Sequence, residues 1–84
     1  MSNHAIEYYG NKYAGNKEKA FIHLAREVGE LAAGIERSND EMAKMELTET
    51  AALCFYLAKL YNLDLMQNME QLYRKKLEAQ KEGK

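Results

Sequence analysis

Four glutamates stand in two pairs of identical spacing, and these residues have the types and spacing for metal chemistry. Glu27 and Glu30 lie in EVGE, and Glu46 and Glu49 lie in ELTE. Residues three apart on a helix are neighbours on one face, so each pair would present two carboxylates together. Carboxylate oxygens are ligands that suit Mg²⁺ and Mn²⁺. The two pairs therefore predict a metal site, provided that the fold brings them together.

Three long helices are expected to carry the chemistry. The chain has no proline, and its apolar residues recur at steps of three and four, which is typical of amphipathic helices. The predicted helices span about 17–36, 39–61 and 65–80, with Asn16, Ser38 and Asp64 as N-caps. Residues 1–16 are predicted to form an irregular or partly helical arm of the same single domain, 1–84. Short connections make consecutive helices antiparallel neighbours.

The expected hairpin of the first two helices places the glutamate pairs opposite each other. Its turn is centred near residue 38, so Glu30 and Glu46 are both 8 residues away, and Glu27 and Glu49 are both 11 away. At about 1.5 Å per residue, the heights match at about 12 and about 16 Å from the turn. Clustered carboxylates repel one another unless they are protonated or a cation neutralises them. Solvated helix faces also carry such pairs, and this is the alternative interpretation.

The third predicted helix would bring basic residues to the same level. The turn between the second and third predicted helices is centred near residue 63, which places Arg74, Lys75 and Lys76 near the acidic cluster. Cations beside a metal stabilise the charge on a polyphosphate. Lys75 and Lys76 are therefore candidate ligand-binding residues, although lysines on a helix are more often simply solvated.

Composition excludes several classes of function. Twelve basic and 13 acidic residues among 84 give a net charge of −1, which offers no electrostatic basis for binding nucleic acid. No apolar run is long enough to cross a bilayer, and no secretory leader is visible. A single cysteine, Cys54, cannot form a disulfide within the chain. We therefore expect a cytoplasmic protein that binds neither nucleic acid nor membrane.

The second predicted helix is unusually apolar. After Glu49 it reads TAALCFYLAKLY, with one charged residue, Lys59. A helix that is apolar nearly all round is buried on most sides, and two further helices of a short chain can hardly cover it. The sequence therefore predicts an all-α antiparallel bundle of three main helices that oligomerisation completes.

The glutamate pairs and their surroundings resemble the all-α NTP pyrophosphohydrolase superfamily, in particular its MazG-like group. The family pattern is Glu-x-x-Glu on one helix and Glu-x-x-Asp on the next. Here EVGE, within LAREVGELAAGI, matches the first half and ELTE resembles the second, so Glu49 stands where the family prefers Asp. The segment RKKLEAQ resembles the family's EKLEKN. The similarity covers about residues 17–80.

The resemblance implies Mg²⁺-dependent hydrolysis of a nucleoside triphosphate to the monophosphate and pyrophosphate, with Mn²⁺ as the alternative ion. A metal-bound water would attack the α-phosphate. Lys76 would contact phosphate, and the chain would form a homodimer or homotetramer. The metal ligands would be Glu27, Glu30, Glu46 and Glu49, one of them serving as general base. The alternative is a non-catalytic helical module that oligomerises or binds nucleotide.

Residues near these pairs have simpler interpretations. His23 lies one turn before Glu27 and is expected to be a polar residue at the edge of the bundle rather than a ligand. Tyr8, Tyr9 and Tyr13 offer rings that can stack on a nucleobase. Packing of the arm against a neighbouring protomer is the interpretation that we favour for them.

Overall fold

The computed structural model describes residues 4–83, and they form four α-helices without a strand. The helices are α1 (His4–Tyr13), α2 (Lys17–Glu36), α3 (Asp40–Leu60) and α4 (Leu65–Lys81). The all-α class is confirmed, and the three long helices begin and end within one residue of the predicted bounds. The predicted arm is mostly a fourth helix. No helix in this part of the chain is long and apolar enough to cross a membrane.

Side-chain caps decide where the long helices begin. Asn16, Asn39 and Asp64 each accept a hydrogen bond from the backbone N–H three residues later, at 3.0–3.1 Å. Such a cap satisfies a helix N–H group that has no partner within the helix. The prediction of Ser38 as a cap was wrong by one residue. Ser38 has a φ of 54° and lies in the turn, so the capping position falls to Asn39.

The core lies between α2 and α3, with α1 packed across them. The connection between α2 and α3 is short, and the two helices form the expected antiparallel hairpin. They come closest near the turn, where a Cβ on Gly34 would lie 3.0 Å from the backbone nitrogen of Ala43. The buried core residues are Tyr9, Ala20, Leu53 and Tyr56. One short helix and a hairpin therefore share one small core.

The last helix, α4, stands apart from this core. None of the residues of α4 is buried, and α4 makes few contacts with the other three helices. The radius of gyration is 15.4 Å, whereas a compact chain of this length would have about 12 Å. The prediction that α3 and α4 are antiparallel neighbours was therefore wrong. The connection over 61–64 leads α4 away from the hairpin, so most of its large apolar side chains are exposed.

The chain exposes a large apolar surface. Its accessible area is 6600 Å², compared with about 5,100 Å² for a compact monomer of the same mass. On α4, the large exposed apolar residues are Met66, Met69, Leu72, Tyr73 and Leu77. On α2 and α3, they are Phe21, Ile22, Val28, Ile35, Met45 and Leu47. The excess of about 1,500 Å² is comparable in size to a protein interface.

Candidate metal centre

Three of the four predicted glutamates meet where α2 faces α3. One carboxylate oxygen from each of Glu27, Glu46 and Glu49 lies within 4.8 Å of the other two. All three side chains are partly buried. Oxygens that share a small divalent cation at about 2.1 Å lie roughly 3–4 Å apart, so a modest movement of these side chains would close them around an ion.

The fourth glutamate is not part of this group. Glu30 is exposed on α2 and is not among the three residues whose oxygens converge. Glu46 and Glu49 have the same spacing on α3 and both take part, so a spacing of three does not by itself decide whether both residues of a pair reach the site. Matching heights along the helices were therefore insufficient to place all four carboxylates together. The ligand role of Glu30 stays a prediction.

The group contains an orphaned acceptor that a cation would satisfy. The Oε1 atom of Glu46 is buried and has no hydrogen-bond partner within residues 4–83, and the hydroxyl of Thr50, one turn later on α3, is in the same situation. A buried polar atom without a partner is unfavourable. Two facing helices that supply only oxygen donors match the preference of Mg²⁺ and Mn²⁺. The residues therefore fit a divalent cation.

The pKa values of Glu27 and Glu46 are shifted in opposite directions. Hydrogen bonding to Glu27, followed by burial and by the charges of Glu27 and Glu49, raises the pKa of Glu46 to about 7. The pKa of Glu27 is lowered, chiefly by its hydrogen bond with Glu46 and also by its hydrogen bond with His23. Of these two carboxyl groups, Glu46 is therefore the one that keeps a proton to higher pH. A bound divalent cation would displace that proton.

His23 is a buried neighbour of the cluster, contrary to the expectation that it lies at the edge of the bundle. Only 8% of the residue is exposed. Its Nε2 is 2.9 Å from Oε2 of Glu27 and its Nδ1 is 2.6 Å from the hydroxyl oxygen of Tyr13. The signal in the sequence was the spacing of four between His23 and Glu27. The hydrogen bond between Tyr13 and His23 could not be inferred, because α1 was not predicted as a complete helix.

The aromatic residues of α1 pack inside their own chain. The ring of Tyr9 is buried and lies 6.1 Å from the rings of both Tyr13 and Tyr56. The hydroxyl of Tyr56 accepts a hydrogen bond of 3.0 Å from the backbone N–H of Gly15. Tyr9 and Tyr13 therefore attach α1 to the hairpin, whereas packing on a neighbouring protomer was expected. Tyr8 is exposed.

The basic residues of α4 are not brought to the carboxylates by their own chain. The ammonium of Lys76 lies 5.8 Å from the ring centre of Tyr73 on the same helix. Within residues 4–83, neither Lys75 nor Lys76 forms an ion pair with the cluster. Their expected position depended on α4 packing against α3, which does not occur. A phosphate-binding role for Lys75 and Lys76 stays a prediction.

Comparison with known proteins identifies no relative of this chain. No protein-family model, curated protein or solved structure matches the chain. The features that bear on function are therefore the cluster of Glu27, Glu46 and Glu49, its surroundings and the resemblance of its motifs.

Proposed function

We propose that this chain is a Mg²⁺-dependent pyrophosphohydrolase, which hydrolyses a (deoxy)nucleoside triphosphate to the monophosphate and pyrophosphate. One observation carries the proposal: carboxylates from two facing helices, Glu27 on α2 with Glu46 and Glu49 on α3, converge within 4.8 Å. The MazG-like resemblance of the same residues supplies the reaction. These three would hold the ion, and Glu30 would join them from the adjacent position on α2.

The proposed reaction is a displacement at the α-phosphorus. A water oxygen forms a bond to that phosphorus, the bond to the oxygen bridging the α- and β-phosphates breaks, and pyrophosphate leaves. One carboxylate of the cluster accepts the proton that the attacking water gives up. Bound Mg²⁺, or Mn²⁺ in its place, would neutralise charge on the phosphate oxygens.

We further propose that the active form is a homodimer or homotetramer. The excess exposed area of about 1,500 Å² exceeds the roughly 800 Å² that each partner buries in a standard interface. None of the residues of α4 is buried, and most of its large apolar side chains are exposed. In such an oligomer, α4 of a second copy would supply Lys75 and Lys76 to the triphosphate, because α4 does not pack on the hairpin of its own chain.

The decisive experiment measures monophosphate and pyrophosphate release from canonical NTPs and dNTPs, with Mg²⁺ or Mn²⁺. We expect metal-dependent release by the wild type and a loss of at least 100-fold in Glu49→Gln, because the variant lacks a charged ligand. Glu36→Gln, at an exposed glutamate at the end of α2, is the matched control and should retain full activity. Equal rates in the wild type and Glu49→Gln would contradict the mechanism.

A non-catalytic helical module is the second candidate function. The exposed apolar surface favours it, since such surfaces mark sites of protein interaction. Thermal melting separates the two candidates, because a ligand that binds only the native state raises the melting temperature. A nucleotide-induced rise that requires Mg²⁺ supports the enzyme. A rise with the metal alone, with no product from any nucleotide, supports the module.

A further inference from the structure

We infer that His23 is a positioning residue for the carboxylate of Glu27, and that Tyr13 fixes the histidine ring in turn. The inference rests on the proposed metal site and extends it to α1, which carries no ligand. Its basis is a continuous hydrogen-bonded chain from Tyr13 through His23 to Glu27.

The chemistry of the three groups sets the direction of this chain. An ionised carboxylate only accepts hydrogen bonds, so the contact of 2.9 Å requires a hydrogen on Nε2 of His23. In the neutral ring Nδ1 is then the acceptor, and the hydroxyl of Tyr13, at 2.6 Å, donates to it. The neutral ring therefore has one tautomer in this chain of hydrogen bonds, and each of its nitrogens has one partner.

The surroundings hold the ring in this orientation. The side chains of His23 and Glu27 are 10% and 13% exposed, so water cannot easily replace either partner. The rings of Tyr9 and Tyr13 pack edge-on against the imidazole, at 5.8 Å and 5.9 Å between ring centres. These two ring contacts oppose a swing of the imidazole away from Glu27. Helix α1 is thus part of the support of the metal centre.

The consequence for Glu27 is a fixed orientation of its carboxylate. Its Oε2 accepts the hydrogen bond from His23, which uses one of the lone pairs of that oxygen and leaves the remaining ones of the carboxylate for an ion between α2 and α3. Residues that orient a metal ligand in this way typically change metal affinity by 10–100-fold when they are replaced. We therefore expect His23 to influence how tightly the site holds its ion, although it does not touch the ion itself.

Two substitutions of His23 separate positioning from simple packing. The amide nitrogen of glutamine can stand near Nε2, so His23→Gln retains a donor toward Glu27. The amide of asparagine reaches only to Nδ1, so His23→Asn keeps a partner for Tyr13 and loses that donor. Titration with Mn²⁺, followed by the electron paramagnetic resonance signal of the free ion, should show at least about 10-fold weaker binding in His23→Asn. His23→Gln should remain close to the wild type.

The outcomes distinguish this inference from the proposed function. If the wild type binds Mn²⁺ and both variants bind it equally well while remaining folded by circular dichroism, the positioning role is overturned and the metal site stands. If the wild type binds no Mn²⁺, the metal site fails, and the inference fails with it.

A second readout does not need the metal. Nitrogen-15 spectra of the histidine rings in the metal-free protein should show His23 protonated on Nε2 at pH 8, with His4→Gln used to assign the signals. The Nε2 resonance should shift in Glu27→Gln, and the Nδ1 resonance should shift in Tyr13→Phe. A ring that is protonated on Nδ1 alone would overturn the inference.

Discussion

The two end helices of the chain are held in opposite ways. Helix α1 has 10 residues, yet Tyr9 is buried and Tyr13 is hydrogen-bonded to His23. Helix α4 has 17 residues and none of them is buried. An isolated helix of either length is marginal in water, because most helical stability in proteins comes from packing. Length and apolar content therefore say less about the anchoring of a helix than the presence of a shaped partner surface.

The core of the hairpin and the surface of α4 should respond very differently to the same truncation. Leu53 is fully buried, so Leu53→Ala should lower the free energy of unfolding by about 3 kcal/mol at every protein concentration. Leu72 is 47% exposed, so Leu72→Ala should act only through association and lose its effect on dilution. Urea denaturation over a range of concentrations, with sedimentation velocity to define the oligomer, measures both. A concentration-independent loss in Leu72→Ala would place α4 in the core of the single chain.

The pH dependence of stability should arise mainly in the hairpin of α2 and α3, from the ionisation of Glu46. Its pKa of about 7 in the folded, metal-free protein lies above the ordinary value of 4.5, so its contribution to stability is full below pH 4.5 and is lost as the pH rises through about 7. The lowered pKa of Glu27 acts in the opposite direction, and its contribution is lost as the pH falls below 4.5. Between these values stability should therefore decline with rising pH.

Glu46→Gln removes the titrating group, so it should melt a few degrees above the wild type at pH 8 in the presence of a chelator. It should also lose the stabilisation that Mn²⁺ gives to the wild type. Thermal melts from pH 4.5 to pH 8 measure both effects. Glu30→Gln, outside the group of three carboxylates, is the control and should retain the decline. The attribution to Glu46 would be refuted by an unchanged decline in Glu46→Gln.

The smallest expected effect comes from removing the N-cap side chain of α2 and, separately, that of α4. Asn16→Ala and Asp64→Ala each remove a side-chain acceptor at a helix N-terminus, worth about 1 kcal/mol. Helix α2 should remain helical because Ala20 and His23 are buried. Helix α4 lacks such support, so Asp64→Ala should lose helicity in far-UV circular dichroism at concentrations where the chains are dissociated. Equal helicity in the two variants would mean that α4 is stabilised by contacts of its own.

Local signals predicted most of the secondary structure, and the arrangement of the helices was less accessible. Periodicity and polar breaks act within a few residues, so the bounds of α2, α3 and α4 were predicted closely. Gly10 and Asn11 are residue types that favour turns, yet both lie inside α1, and the turn is at Gly15 with a φ of 84°. Packing of the α1 aromatic residues outweighed those weak local preferences.

The candidate site was predictable to the extent that it depends on one hairpin. Counting residues from the turn placed Glu27 level with Glu49 and Glu30 level with Glu46, and the structure brings Glu27 together with both Glu46 and Glu49. Counting gives height along an axis but does not give direction around it, so it could not show that Glu30 lies outside this group of three. The positions of Lys75 and Lys76 required knowledge of where α4 packs, which is a property of surfaces beyond the local sequence.

The close approach of Gly34 to Ala43 has a mechanical consequence for the carboxylates. The contact between these two residues sets the separation of α2 and α3 near the turn, and the glutamates lie farther from the turn on the same two helices. A methyl group at Gly34 would lie 3.0 Å from the backbone nitrogen of Ala43, so the two helices would have to move apart there by a few tenths of an ångström. Glu27 lies about 10 Å farther along α2 at 1.5 Å per residue. The glycine at position 34 therefore helps to set the distance between the carboxylates of α2 and α3, and with it the size of ion that the proposed site could accept.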